Sequence, residues 1–235
     1  MGNLHFIGRN VRTKIFREYL DDHDRFFLMT SLGTVRNGID VDQTFINVIA
    51  GRGYLDLLKW LEMTYCYVLK MRDEAAIIAA ANGHINVLEH CWISYSWSGY
   101  RSTLAAIKNG HLDVLKWLEN TKIVNWTTGF SATYTETATL NNRFEILQWL
   151  RARKCPVSRG TFQNAIISGN LEMIKWMYEQ SLFYDGCTMA SAAITERLDI
   201  LQWAHSVDLL NDVEECLDCA RKCGHMEIVF WLESL

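Results

Sequence analysis

The sequence of 235 residues lacks the long apolar run that a membrane-spanning helix needs. Residues 75–81, AlaAlaIleIleAlaAlaAla, are among its longest apolar stretches, well short of the roughly 18 residues that cross a bilayer. No signal peptide with a charged and then an apolar region opens the chain. We therefore expect a protein that does not enter a membrane and that is intracellular.

Positive charge is also not in excess, because 23 Lys and Arg residues stand against 27 Asp and Glu residues. The net charge is −4 and the pI is about 6.0. Nucleic-acid-binding domains usually show a basic patch or a pI above about 9. We therefore expect no nucleic-acid partner.

The seven cysteines follow no disulfide framework, and an odd number without such spacing indicates free thiols in a reducing compartment. Cys216, Cys219, Cys223 and His225 have a spacing that could supply four zinc ligands. The three cysteines fall in one predicted helix, however, whereas zinc sites usually gather two separate ligand pairs. We expect no metal and no cofactor.

Sequence signatures of catalysis are missing as well. The chain has no Gly-rich phosphate loop, no Gly-x-Ser-x-Gly elbow, no His-Glu-x-x-His motif and no kinase motifs. An active site needs convergent groups that do not repeat, but six acids and three histidines here recur at fixed positions of a repeat. The sequence predicts a protein that is not an enzyme.

What the sequence does contain is a recurring phrase. Residues 102–119 have the pattern of two short helices broken at Gly110, and neither helix could bury its apolar face alone. Alignment on Gly110 gives seven copies at intervals of 27 to 32 residues. We call the aligned positions the turn column: Gly53, Gly83, Gly110, Asn142, Gly169, Glu196 and Gly224.

Two further columns follow from this alignment. A small or aliphatic residue stands four positions before the turn column, where first helices are expected to approach closely. A ring stands seven positions after it and is expected to fill the seam between adjacent repeats. The first set is Ile49, Ala79, Ala106, Ala138, Ala165, Ala192 and Ala220, and the second is Trp60, His90, Trp117, Trp149, Trp176, Trp203 and Trp231.

The motif Gly-His-Leu-x-Val-Leu-x-Trp-Leu at residues 110–118 resembles the ankyrin repeat. The tryptophan column, together with a spacer such as residues 155–161, is similar to the ankyrin repeats of large DNA viruses of amoebae. The resemblance implies an all-α solenoid of about seven helix–turn–helix repeats. The intervals are mostly shorter than the ankyrin period of about 33 residues, and the Thr-Pro-Leu-His opening is missing. We therefore expect short turns instead of long β-hairpins between repeats.

The resemblance also implies a domain organisation. Residues 42–235 form the repeat domain, and residues 1–41 precede it. The histidines that follow the turn column, His84, His111 and His225, are expected to bond loop backbone as the Gly-His pair does in ankyrin repeats. The predicted repeats lie near 42–70, 71–98, 99–126, 127–157, 158–184, 185–211 and 212–235.

Residues 1–41 do not fit the repeat, and two interpretations of them stay open. Apolar residues recur there at helical spacing, and the order Val-x-x-x-Ile-Phe-x-x-Tyr-Leu-Asp-x-x-Asp resembles a shortened F-box without its Leu-Pro opening. An F-box docks on the Skp-type adaptor of cullin ubiquitin ligases. The alternative is a helical cap that shields the first repeat. The adaptor-docking residues implied by the first interpretation are Ile15, Phe16, Tyr19, Leu20 and Phe27.

The partner of an ankyrin repeat domain usually meets the turns and first helices, especially the two residues before Gly-His. Here some of these residues are apolar, and a row of surface apolar residues suggests a contact patch. Aromatic and Arg residues of the loops are typical interface anchors, although Trp97 and Trp126 could equally be local core. The candidate partner-binding residues are Trp97, Tyr100, Arg101, Lys108, Asn109, Trp126, Phe130, Leu140, Asn141, Arg159, Ile167, Ser168, Ile194 and Thr195.

A second candidate contact lies at the end of the sequence. The sequence stops directly after the seventh second helix, whereas a terminal repeat normally makes its outer face polar. Phe230, Trp231, Leu232 and Leu235 are therefore predicted to contact a partner or a second copy of the chain.

These patterns together favour a protein-interaction module. Our leading interpretation is an adaptor in the host cytoplasm that recruits a target protein to ubiquitin-ligase machinery through residues 1–41. The alternative is a non-enzymatic scaffold or decoy that occupies a host or viral protein without any ligase link.

Overall fold

The computed structural model describes residues 43–64, 72–94, 99–122, 124, 126–127, 131–182 and 189–235. Within these ranges the chain consists of helices and turns without a β-strand, so the described part of the protein is all-α, as predicted. The chain divides into two compact units, residues 1–98 and residues 99–235.

The helices come in pairs, and each pair contains one copy of the sequence phrase with the turn column between its two helices. The described residues of the first unit form α1 (Gln43–Gly51) and α2 (Leu55–Thr64), then α3 (Arg72–Ala81) and α4 (Ile85–Ser94). Those of the second unit form α5 (Gly99–Asn109), α6 (Leu112–Asn120), α7 (Ala132–Leu140), α8 (Phe144–Ala152), α9 (Arg159–Ser168), α10 (Leu171–Glu179), α11 (Ala190–Ile194), α12 (Leu198–Ser206), α13 (Val213–Cys223) and α14 (Met226–Glu233).

The turn column ends the first helix of every pair. All seven residues have a left-handed backbone, with φ between 72° and 90° at the glycines, 56° at Asn142 and 58° at Glu196. In six copies the N–H of the next residue donates to the carbonyl four positions before the column, at 2.8 to 3.1 Å. This bond and the left-handed residue are the usual close of a helix C-terminus, which explains why glycine dominates the column.

The small column lies in the core. All seven of its side chains are fully buried. In the first unit α1 packs against α3, and in the second unit α5, α7, α9, α11 and α13 pack side by side in chain order. Each second helix packs on the first helix of its own pair. The predicted close approach of the first helices is confirmed.

The tryptophan column is less buried than a core column, because its seven rings are all half-buried. In the second unit three of these rings meet a ring of the preceding pair's second helix edge to face, which is a favoured aromatic geometry. The seam position is therefore correct for these three, but the rings keep one edge in solvent. The contacts are Phe144 with Trp176 at 5.6 Å, Tyr178 with Trp203 at 5.6 Å and His205 with Trp231 at 6.0 Å between centroids.

After four second helices of the second unit, a second left-handed position lies twelve residues after the turn column. It is occupied without any glycine, at φ of 53° to 61°. Where the connections to the next pair are fully described, at 153–158 and 207–212, they are short turns, as predicted. In the described chain, no helix has the length and apolar character that crossing a membrane requires. The left-handed residues are Lys122, Lys154, Ser181 and Asp208.

Candidate protein-interaction surface

Three large apolar side chains are exposed at the same position of three consecutive helix pairs in the second unit. Leu140 is 52% exposed, Ile167 is 43% exposed and Ile194 is 49% exposed. Each residue lies two positions before the turn column, at the C-terminal end of α7, α9 or α11. We call these three residues the apolar row. The alignment had singled out this position, and the structure leaves its side chains open to solvent.

In three pairs, the backbone carbonyl two positions before the turn column accepts a hydrogen bond from the next helix pair, and one of these carbonyls, that of Ile194, belongs to the apolar row. A side chain just after the turn column donates a hydrogen bond to the carbonyl two residues before the preceding turn column. The prediction that turn histidines bond backbone is confirmed for His84 and His225, and the acceptor belongs to the preceding pair. The three bonds are His84 Nε2 to Gly51 O at 3.0 Å, Arg143 Nε to Lys108 O at 3.1 Å and His225 Nε2 to Ile194 O at 3.0 Å.

Two side chains that follow a turn column, His84 and Arg197, lie very close to the turn glycine of the preceding pair. A Cβ at Gly53 would lie 2.6 Å from His84 Nδ1, and a Cβ at Gly169 would lie 2.0 Å from Arg197 Nη1. Both glycines also have positive φ. The left-handed backbone favours glycine at both turns, and at Gly53 the His84 ring also leaves no space for a Cβ.

The polar residues beside the apolar row use their hydrogen-bonding groups locally. Four of the predicted contact residues donate from their side chains to a carbonyl three or four residues earlier in the same helix, which satisfies acceptors at the helix end. These groups stabilise the helix ends that carry the row. The bonds run from Asn109 to Ala105, Asn141 to Thr137, Ser168 to Ala165 and Thr195 to Ser191, at 2.8 to 2.9 Å.

Trp126 is a correction to the predicted contact surface. It is only 8% exposed, and its ring lies 5.0 Å from Trp149 and 5.8 Å from Tyr134 between centroids. Tyr100 is half-buried and lies 5.7 Å from Tyr134. Burying large rings against one another stabilises a fold strongly. Trp126 is therefore local core and cannot serve as an exposed anchor.

The remaining candidate contact residues are either exposed or lie outside the described residues. Arg101, Lys108 and Arg159 are exposed in the second unit. Trp97 and Phe130 lie outside the described residues. Their predicted contact role stays a prediction.

An arginine clamp joins two helix pairs elsewhere in the second unit. Arg153 donates to both carboxylate oxygens of Glu119 at 2.5 and 2.7 Å, and its guanidinium lies 3.8 Å from the Trp149 ring centroid. A planar guanidinium suits both the bidentate and the stacking contact. No pattern in the sequence predicts this pairing, because the partners are 34 residues apart.

A buried ionic cluster, also absent from the predictions, lies in the first unit. Arg72 donates from Nε to Glu62 Oε1 at 2.6 Å and from Nη2 to Oε2, and His90 Nε2 lies 2.7 Å from the same Oε2. Arg72 and Glu62 are both buried. Next to them, burial raises the pKa of the Cys91 thiol to about 12. The available signal was the single break in the tryptophan column, which is His90.

The cysteine cluster does not gather into a metal site. Cys216 is buried, Cys219 is half-buried, Cys223 is exposed, and His225 Nε2 bonds the Ile194 carbonyl. Burial raises the pKa of the Cys216 thiol to about 12, which disfavours the thiolate that binds metals. Within the described ranges, no group of three or more His, Cys, Asp and Glu residues could hold a metal ion.

The predicted contact at the end of the sequence needs one correction. Leu232 is 3% exposed, and the equivalent position is buried in every pair, so it has almost no surface to offer a partner. Trp231 is half-buried against His205. Phe230 and Leu235 are exposed. Of the four residues, these last two retain a free apolar surface.

The predicted adaptor-docking residues, Ile15, Phe16, Tyr19, Leu20 and Phe27, lie outside the described residues. A scan against protein-family models finds no match for the chain, and a search of curated proteins finds no relative.

Proposed function

We propose that the protein is a non-enzymatic interaction module of ankyrin-like repeats that binds a protein partner through the apolar row. The observation that carries this proposal is the exposure of Leu140, Ile167 and Ile194 at one position of three consecutive helix pairs. Soluble proteins normally show single exposed apolar residues, whereas an ordered set indicates a contact surface.

The surroundings of the apolar row favour a protein partner over a charged ligand. The residues that follow the row, Asn141, Ser168 and Thr195, are neutral, and their side chains bond their own helices. Interface cores are depleted of charged residues in the same way. Because His225 of the next pair bonds the Ile194 carbonyl, less ordering entropy opposes binding at that end of the row.

Support for an ankyrin-like assignment comes from the local geometry. Paired helices and turn histidines that bond backbone are what the sequence resemblance implies. The short connections at 153–158 and 207–212 fit the reduced repeat interval.

The test replaces Leu140, Ile167 and Ile194 together with Gln in the full chain and measures capture of partners from host-cell lysate. We expect captured partners to fall about tenfold or more, as for loss of central apolar anchors. Met63→Gln is the matched control, because Met63 is an exposed apolar residue outside the row. Unchanged capture by the triple variant would refute the role of the row.

We also propose, from the residue pattern of 1–41, that the module recruits its target to a Skp-type adaptor. Ile15→Ser with Leu20→Ser in the full chain should abolish adaptor capture and leave the melting temperature nearly unchanged. A lower melting temperature, with no adaptor bound by the unmodified chain, would favour a helical cap and a scaffold or decoy.

A further inference from the structure

Phe230 occupies a position that is polar in every other copy of the repeat. The position lies six residues after the turn column, on the outer side of the second helix, and it is exposed in all seven copies. Phe230 itself is 65% exposed. Its exposure therefore follows from its place on the helix and needs no missing neighbour. The other six residues are Lys59, Glu89, Lys116, Gln148, Lys175 and Gln202.

Phe230 does not stand alone on its helix. Met226, one turn earlier on α14, is 51% exposed, and Leu235 just beyond the helix is 54% exposed. We call these three residues the α14 strip. Met226 and Phe230, four residues apart, form a ridge of the kind that packs into the groove of another helix.

Glu227 and Glu233 lie on the same helix as the α14 strip, and five further acidic residues lie before that helix, at 208–218. Residues 207–235 contain seven Asp and Glu residues and two basic residues, Arg221 and Lys222, which leaves a net charge of −5 with histidines neutral. All seven carboxylates are exposed. Glu227 and Glu233 stand three residues on either side of Phe230, one helical turn away. Arg221 already pairs with Glu233 at 2.6 Å.

We propose that the α14 strip docks a basic amphipathic helix of another protein. The apolar face of that helix covers Met226 and Phe230, and its Lys or Arg side chains reach the flanking carboxylates. Amphipathic helices in apolar grooves are a recurring mode of recognition, and opposite charge selects among them. A second copy of the chain fits poorly, because two α14 strips face to face would bring Glu227 and Glu233 against like charges. This surface is separate from the apolar row.

The experiment titrates the full chain with two labelled synthetic helical peptides that share one leucine pattern. One peptide carries Lys at all positions that are not leucine, and the second peptide carries Glu at those positions. We expect the Lys peptide to bind with an affinity that falls as salt rises. Phe230→Gln should weaken this binding about tenfold or more. The variant should fold normally, because Gln stands at the equivalent positions 148 and 202, and circular dichroism verifies this.

Two control variants distinguish loss of the α14 strip from a change at an equivalent position and from loss of the apolar row. Gln202→Lys adds a positive charge at the equivalent position of the preceding pair and should bind the Lys peptide nearly as well as the unmodified chain does. The triple Gln variant of the apolar row should also bind it normally. Equal loss in Gln202→Lys and Phe230→Gln, unchanged binding in Phe230→Gln, or equal binding of the Glu peptide would each overturn the proposal. So would a dimer in sedimentation that Phe230→Gln converts to a monomer.

Discussion

The two units differ in the contacts that they make at the position seven residues after the turn column. In the second unit, a tryptophan seven residues after the turn column meets a ring of the preceding pair, as Trp176 meets Phe144. In the first unit, the column holds Trp60 and His90, and His90 meets the buried Glu62–Arg72 pair. One position of the repeat therefore accepts either an aromatic edge contact or an ionic cluster.

The difference has an energetic consequence. Aromatic contacts are partly independent, since each half-buried ring can be lost without leaving a charge behind. A buried ion pair behaves differently, because removing one member leaves the other desolvated without its counter-charge. The first unit is therefore expected to be more sensitive to single substitutions of Glu62 or Arg72 than the second unit is to the loss of one ring.

The largest expected effect comes from breaking the ionic cluster. Glu62→Gln should lower the free energy of unfolding by about 3 to 5 kcal/mol, because Arg72 remains buried beside a neutral group. Glu62→Leu combined with Arg72→Met should recover much of this loss, since neither charge is then buried. Urea unfolding of the single and double variants measures both values. A loss below about 1 kcal/mol for Glu62→Gln would contradict the first unit's dependence on the pair.

The next effect concerns the aromatic seam of the second unit. Trp176→Ala should cost about 2 kcal/mol, less than the about 3 to 5 kcal/mol of a fully buried ring, because Trp176 is half-buried. Lys175→Ala, at the exposed neighbouring position, is the control and should change stability by less than about 0.5 kcal/mol. If the two variants unfold at the same urea concentration, the seam does not stabilise the unit.

A smaller gain is expected at a turn of the second unit. Both described turns of the first unit have glycine at the turn column, whereas Glu196 has φ of 58° in the second unit. Glu196→Gly should raise stability by about 1 kcal/mol by relieving the left-handed strain, despite losing a contact at 3.6 Å with His225. Asn142→Gly should gain less, since Asn tolerates this conformation. Thermal unfolding ranks the two variants, and a loss in Glu196→Gly would mean that its contact outweighs the strain.

The smallest effect is a pH dependence at an exposed pair of the second unit. The hydrogen bond from Arg197 lowers the pKa of Asp199 below its ordinary value. A lowered pKa in the folded state stabilises the protein above the unfolded pKa of about 3.9, and this stabilisation is lost as pH falls through the folded pKa. Asp199→Asn should cost less than about 1 kcal/mol at pH 7 and should cost less as the pH falls below about 3.9. An equal difference at neutral and at acidic pH, measured by urea unfolding, would mean that charge is not the cause.

The sequence predicted those features that repeat. The turn column, the buried small column and the exposed position of the apolar row were readable because seven copies place the same physical demand on the same position. Fold class followed from the same periodicity. A residue type that recurs at the same position of every copy can be interpreted without knowing which residues it contacts.

The features that the sequence did not predict depend on pairings between particular copies. Glu62, Arg72 and His90 come together from three helices, and only the missing tryptophan hinted at this. Trp126 lies in a connection where no column fixed its environment. The left-handed conformation of Lys122 and Lys154 could not be predicted from their residue type, since glycine is the residue that usually indicates it.

The bonds between neighbouring turns have a consequence for how the second unit folds. The bond from Arg143 to the Lys108 carbonyl spans 35 residues, and the bond from His225 to the Ile194 carbonyl spans 31. Bonds of such short sequence separation close small loops, which favours rapid folding. They also couple each helix pair to its immediate neighbour, so stability spreads along the unit step by step. Amide hydrogen exchange in α13 and α14 can therefore report opening of that pair while α7 and α9 remain protected.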